Sequence, residues 1–91
     1  MNFIWDLNKE KKNIEKHGLG FRLAHKMFLD VDSVDFEDLR YNYGEERRII
    51  YSIVDNVKLC MCYSYREDKK RIISLRKANK REWSKYYGKN S

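Results

Sequence analysis

Cations set among aliphatic residues in one strand-like run are the part of this chain best suited to chemistry. The segment Lys69-Lys70-Arg71-Ile72-Ile73-Ser74-Leu75-Arg76-Lys77 places two arginines inside an apolar stretch. An unpaired buried charge is expensive, so each guanidinium needs an anion. In a basic chain without metal-ligand spacing the natural anion is phosphate, which points to a nucleic acid. A second signal follows directly. Trp83, Tyr86 and Tyr87 interleave with Lys80, Arg81 and Lys85. Aromatic faces stack on unpaired bases while neighbouring cations neutralise phosphates, a combination that suits single-stranded RNA. The competing reading is a closing helix that buries its rings and leaves its cations wet, and the two readings are compatible.

Size and composition bound what can position these residues. Ninety-one residues make one domain, 1–91, with the last few read as a disordered tail. Hydrophobic residues are 42% of the chain, enough for a globular core and too many for a disordered segment. Twenty Lys and Arg stand against 14 Asp and Glu, a net charge of +6. The excess is local: nine Lys or Arg and one acid, Glu82, lie between Lys69 and Lys89, whereas Asp30 to Asp38 holds five acids and no base. A two-faced molecule is expected. Cys60 and Cys62 are one residue apart, with no second pair to complete a zinc site, so free thiols are expected and neither a metal nor a cofactor. The N-terminus turns charged at Asp6, unlike a signal peptide, and no apolar run reaches membrane-spanning length. A cytoplasmic protein without a membrane partner is the expectation.

Along the chain, Phe3-Ile4-Trp5 reads as an edge strand and Asp6 as the N-cap of a helix over Leu7 to His17, ended by Gly18. Phe21, Ala24 and Phe28 share one face of a second short helix. Asp30 to Gly44 is irregular, with one strand around Val34 to Phe36. Arg47 to Val54 and Val57 to Arg66 flank Asp55-Asn56 as a hairpin. Glu67-Asp68-Lys69-Lys70 is read as the next turn, Arg71 to Lys77 as the last strand, and Ala78 to Tyr87 as a closing helix. The sum is an α+β fold: two N-terminal helices, an antiparallel sheet of three to five strands, and a C-terminal helix.

The ordered set Trp5-Asp6, Lys9, Asn13, Lys16-His17-Gly18, Phe21, Ala24, Phe28 and Asp30 resembles the opening signature of the BrnT toxins. Gly44-Glu45-Glu46-Arg47, then Arg71 to Ala78, with Glu82 and Tyr86 beyond, resemble the rest of that pattern. Ser64-Tyr65-Arg66-Glu67 stands where the family has Thr-Glu-Arg-Gly, and Ser74-Leu75-Arg76 where it has Ser-Ala-Arg; both arginines are kept. The resemblance implies a RelE-like fold and a type II toxin that blocks translation by cutting RNA. It also implies a cognate antitoxin with a ribbon-helix-helix domain, through which alone operator DNA is bound.

RNA can be cut without a metal, because its 2′-hydroxyl attacks the adjacent phosphorus. Cationic stabilisation of the developing charge is usually the largest contribution a protein makes. Arg66 and Arg76 are the leading candidates, since a guanidinium fork matches two phosphate oxygens. The alternative is that each pairs with Glu45, Glu46 or Glu82 and only holds the fold. Register decides whether they share a face. With Glu67 opposite Lys70, Arg66 faces Arg71 and Arg76 lies on the other side; a bulge or odd-length turn brings both to one face, and that shifted register is expected. His17 titrates nearest neutrality and is a candidate acid or base, or else a helix C-terminal histidine beside the dipole. Tyr86 is a candidate for phosphate positioning or base stacking, or else packs on the sheet. Lys16, Lys77, Lys80 and Arg81 are candidate RNA contacts, or else solvated charges. Glu45 and Glu46 are candidate bases, or else pair with Arg47 and Arg48 or with Arg66, the favoured reading. A non-catalytic nucleic-acid-binding module, or a basic surface for an acidic partner, are the alternatives to a nuclease.

Overall fold

Asp6 starts the first helix as its context predicts. In the computed structural model, which describes residues 2–87, its carboxylate accepts hydrogen bonds from the backbone N–H of Asn8 and Lys9. The helix, α1, spans Leu7–His17 and stops where Gly18 turns left-handed at φ 71°, a conformation glycine takes without steric cost. The tail expected at the C-terminal end falls on residues 88–91, outside the described residues. A short strand, β1 (Phe3–Ile4), precedes α1. After it come a single 3-10 turn (Phe21–Leu23) and α2 (Ala24–Met27), where one short helix was expected.

Five strands form one sheet in the order β1-β5-β4-β3-β2, with β2 at Val34–Glu37, β3 at Arg47–Val54, β4 at Val57–Arg66 and β5 at Lys69–Lys77. The class is α+β as expected. The sheet is mixed rather than antiparallel throughout, because β1 joins β5 in parallel. The last helix, α3 (Lys80–Tyr86), is shorter than Ala78 to Tyr87. Asn79 caps it, and Glu82 bonds back to the Asn79 N–H to close a capping box.

Two hairpins set the register. Asp55 and Asn56 both take positive φ in the β3–β4 turn, as the sequence suggests. The β4–β5 turn is also two residues, Glu67 and Asp68, both at positive φ, so the four-residue turn is corrected: Lys69 and Lys70 already belong to β5. Arg66 therefore faces Lys69, and a β-bulge at Ile73 shifts the pairing so that Cys60 faces Arg76. Because side chains alternate along β4, Arg66 and Arg76 project from the same face, as expected.

The two faces are covered differently. One packs against the 3-10 turn and α2: Phe21, Met27, Ile50, Met61, Tyr63, Ile72 and Leu75 are all fully buried. The other, carrying Ile49, Tyr51 and Cys60, is covered by Trp83, Tyr86 and Tyr87 of α3 and its C-cap. Beyond the reach of β1, the open edge of β5 is closed by Asn13. Its side-chain amide donates to the carbonyl oxygens of Leu75 and Leu19, and its side-chain oxygen accepts from the Leu75 N–H. One buried side chain thus stands in for a missing strand.

Candidate active site

Arg76 lies on the α3 face because the Ile73 bulge turns it there. The α3 capping box then delivers an anion to it. Glu82 accepts from Arg76 Nη1 at 2.5 Å and Nη2 at 2.9 Å, and also from the Tyr51 hydroxyl at 2.8 Å and the Asn79 N–H at 2.7 Å. Four donors converge on one carboxylate. The Arg76 guanidinium holds Glu82 down to about 2, below the ordinary 4.5, and Glu82 in turn raises Arg76 further. Burial raises the Tyr51 hydroxyl, and its bond to Glu82 adds to that. The pairing reading for Arg76 is therefore met, yet the residue is not sealed: its side chain is 40% exposed.

It opens into a cleft of about 500 Å³. Phe36, Tyr51 and Tyr86 form one wall, with Tyr86 lying 5.3 Å from Tyr51 and 5.0 Å from Phe36 between ring centroids. Arg81, Lys85 and Arg40 supply further positive charge. Arg40 is engaged by Asp38 in a two-pronged ion pair, whereas Arg81 and Lys85 make no ion pair among the described residues. That guanidinium holds the buried Asp38 carboxyl far below the usual carboxylate range. Cys60 and Cys62 line the floor as free thiols; burial pushes Cys60 up to about 11, leaving it protonated and inert near neutrality.

The expected residues are only partly brought together. Arg76, Tyr86 and Arg81 share the cleft. Arg66 is on the same face but six residues along β4 from Cys60, the cross-strand partner of Arg76, about 20 Å away at 3.3 Å per residue. It lines a separate cleft of about 320 Å³ with Lys9, Asp6, Trp5 and Arg71, and makes no ion pair among the described residues. A single phosphate cannot meet both arginines. His17 ends α1 and lines neither cleft, nor does the exposed Lys16. Lys77 and Lys80 are exposed where β5 leads into α3. His25 is a surface residue whose ring meets Phe3 in a T-shaped contact.

Sequence reasoning missed Tyr51, which reads as an ordinary strand aromatic until its face is known. Glu45 pairs with Arg47 and Glu46 with Arg48 as expected, but the reach of Glu45 across to Arg71 was missed. The spacing Asn79-x-x-Glu82 was the available sign that Glu82 is fixed at a helix start.

Residues 5–82 match the family described as "Ribonuclease toxin, BrnT, of type II toxin-antitoxin system". No curated protein matches the chain.

Proposed function

Because the chain belongs to the BrnT family of ribonuclease toxins of type II toxin–antitoxin systems, we propose that it cuts RNA internally without a metal ion, with the scissile phosphodiester held in the α3 cleft. The observation that carries this is the presentation of Arg76. Glu82 grips the end of the guanidinium through both Nη atoms, which leaves the Nε–H edge for a second oxyanion. A fork fixed before substrate arrives loses little freedom when charge develops on the phosphorane. In this reading the 2′-oxygen forms a bond to the adjacent phosphorus, its proton is lost, and the 5′-oxygen leaves and takes up a proton. The products are a 2′,3′-cyclic phosphate and a 5′-hydroxyl.

Tyr86 is the proposed partner of Arg76. Its ring forms the wall on which a base adjoining the scissile phosphate stacks, and its hydroxyl reaches the phosphate. Arg81 and Lys85, with Lys80 and Lys77 at the rim, draw the strand in. Arg66 serves the strand at a distance, not the reacting phosphate. In this reading Lys16 and His17, which line neither cleft, take no part at the reacting phosphate. The family places a cognate antitoxin beside the toxin. We propose that it is a ribbon-helix-helix protein, that the complex meets operator DNA only through it, and that cleavage of RNA halts translation. Among the described residues no helix is long and apolar enough to cross a membrane.

The test is incubation of RNA with purified protein in EDTA. Fragments ending in 2′,3′-cyclic phosphate, lost in Arg76→Ala, are the expected result. Cutting that stops on chelation overturns the metal-free reaction. RNA that is retarded but stays intact favours the binding-module reading instead.

A further inference from the structure

The same sheet face carries a second group of cations away from α3. Arg47 on β3, Ser64 on β4 and Arg71 on β5 are cross-strand neighbours in one row, and Arg66 with Lys69 lie farther toward the hairpin tip. Glu45, on the loop before β3, bridges this row from above. Its Oε2 accepts from Arg47 Nε at 3.0 Å and from Arg71 Nη2 at 2.9 Å; its Oε1 accepts from Arg71 Nη2 at 3.2 Å. The Tyr43 ring, 4.3 Å from the Arg47 guanidinium carbon, holds that arginine in place. Below the bridge, Ser64 is fully buried, and its hydroxyl has no hydrogen-bond partner among the described residues. Buried hydroxyls are normally satisfied, so an idle one asks for an explanation.

A carboxylate between two guanidiniums, above a spare O–H donor, occupies the kind of setting that suits a phosphate better. A backbone phosphodiester carries the same single charge as a carboxylate, but its two non-bridging oxygens diverge from a tetrahedral centre, so one can meet the guanidiniums while the other reaches the serine hydroxyl. We infer that Arg47, Ser64 and Arg71 form a second phosphate subsite, closed in the free protein by Glu45 and opened when a backbone phosphate of bound RNA displaces that carboxylate. This rests on the reading of the α3 face as the RNA face. Ser64 is four residues along β4 from Cys60, the partner of Arg76, so the subsite lies about 13 Å from the Arg76 row. A single strand leaving the α3 cleft covers that distance in a few nucleotides. Two guanidiniums against one carboxylate keep the site positive even when closed. Arg66 and Lys69, without ion pairs among the described residues, extend the field to the hairpin tip. Glu45 is suited to leaving, since its side chain is 33% exposed and water can receive it. Its two arginines hold its carboxyl below the usual range, Arg47 most strongly, so the closure persists through neutral pH.

Binding of a fully 2′-O-methylated oligoribonucleotide, which cannot be cut, is the direct test. Fluorescence anisotropy over a range of salt concentrations gives Kd and its salt slope. Glu45→Gln is expected to bind several-fold more tightly than the unaltered protein. Arg71→Gln is expected to weaken binding and lower the log–log salt slope by about 0.7, one phosphate contact on a single strand. Ser64→Ala is expected to weaken binding less and leave the slope unchanged. Thermal melts of each variant separate lost contacts from lost fold, and Arg47→Gln repeats the slope measurement if Arg71→Gln melts early. Unchanged or weaker binding by folded Glu45→Gln overturns the subsite. That outcome alongside normal cleavage by the unaltered protein leaves the nuclease reading standing. Tighter binding by Glu45→Gln without cleavage by the unaltered protein does the reverse.

Discussion

The two faces of the sheet use aromatic residues in opposite ways. Under the 3-10 turn and α2, Phe21 and Tyr63 are completely enclosed, and the Tyr63 hydroxyl is tied to Asp35. Under α3, Tyr86 and Trp83 are only half-buried: Tyr86 stacks on Tyr51 in a wall beside an open cleft, while Trp83 meets Tyr51 edge-on. The first face is filled with aliphatic residues between its rings; the second places Arg76, Glu82 and two thiols there. What differs is the size of the cover. The seven-residue α3 has no fully buried residue of its own and reaches only one end of its face. A sheet one layer thick thus separates a closed core from a smaller core that borders an open cleft.

Substitutions on either side put that division to the test. Phe21→Ala, at the centre of the closed face, is expected to cost on the order of 3–5 kcal/mol of stability, measured by urea unfolding. A loss below about 1 kcal/mol would mean that this face is not the main source of stability. Arg76→Lys, on the open face, should do the opposite. It keeps a cation beside Glu82 but loses the planar fork. Cleavage should fall on the order of 100-fold while the melting temperature moves by a few degrees. Equal losses of stability and activity would erase the distinction between the faces.

Much of the closed face is legible in the sequence because local signals fix it. Asp6 and Gly18 bound α1, and Asp55-Asn56 sets the first hairpin. The second hairpin is harder to read, since Glu67 and Asp68 adopt a left-handed pair that Glu seldom takes. The Ile73 bulge has no residue signature at all, yet it alone decides that Arg76 faces Glu82. Sequence order could not give the separation of Arg66 from Arg76 either. Ten residues apart in the chain, they are joined through a turn, and only the pairing converts that interval into distance. The same holds for Glu45, whose contact with Arg71 spans 26 positions.

Acid should affect the open face through one carboxylate, with a smaller effect than either substitution. Glu82 has its carboxyl lowered from 4.5 to about 2, chiefly by its hydrogen bonds from Arg76. A depressed acid stabilises the fold when it is ionised in both states, so its contribution is full above about pH 4.5. It is lost as pH falls toward about 2, where the folded form also takes up the proton. Asp38, Asp30 and Glu45 are lowered as well, so the whole protein will lose stability in this range whatever Glu82 does. The informative quantity is the difference between two melting curves. Glu82→Gln should melt below the unaltered protein at pH 6, and the gap should narrow progressively by pH 2.5. A gap that stays constant across that range would mean that Glu82 acts through packing and the α3 cap rather than through its charge on Arg76. The α3 face would then owe its order to the same kind of contacts as the closed one.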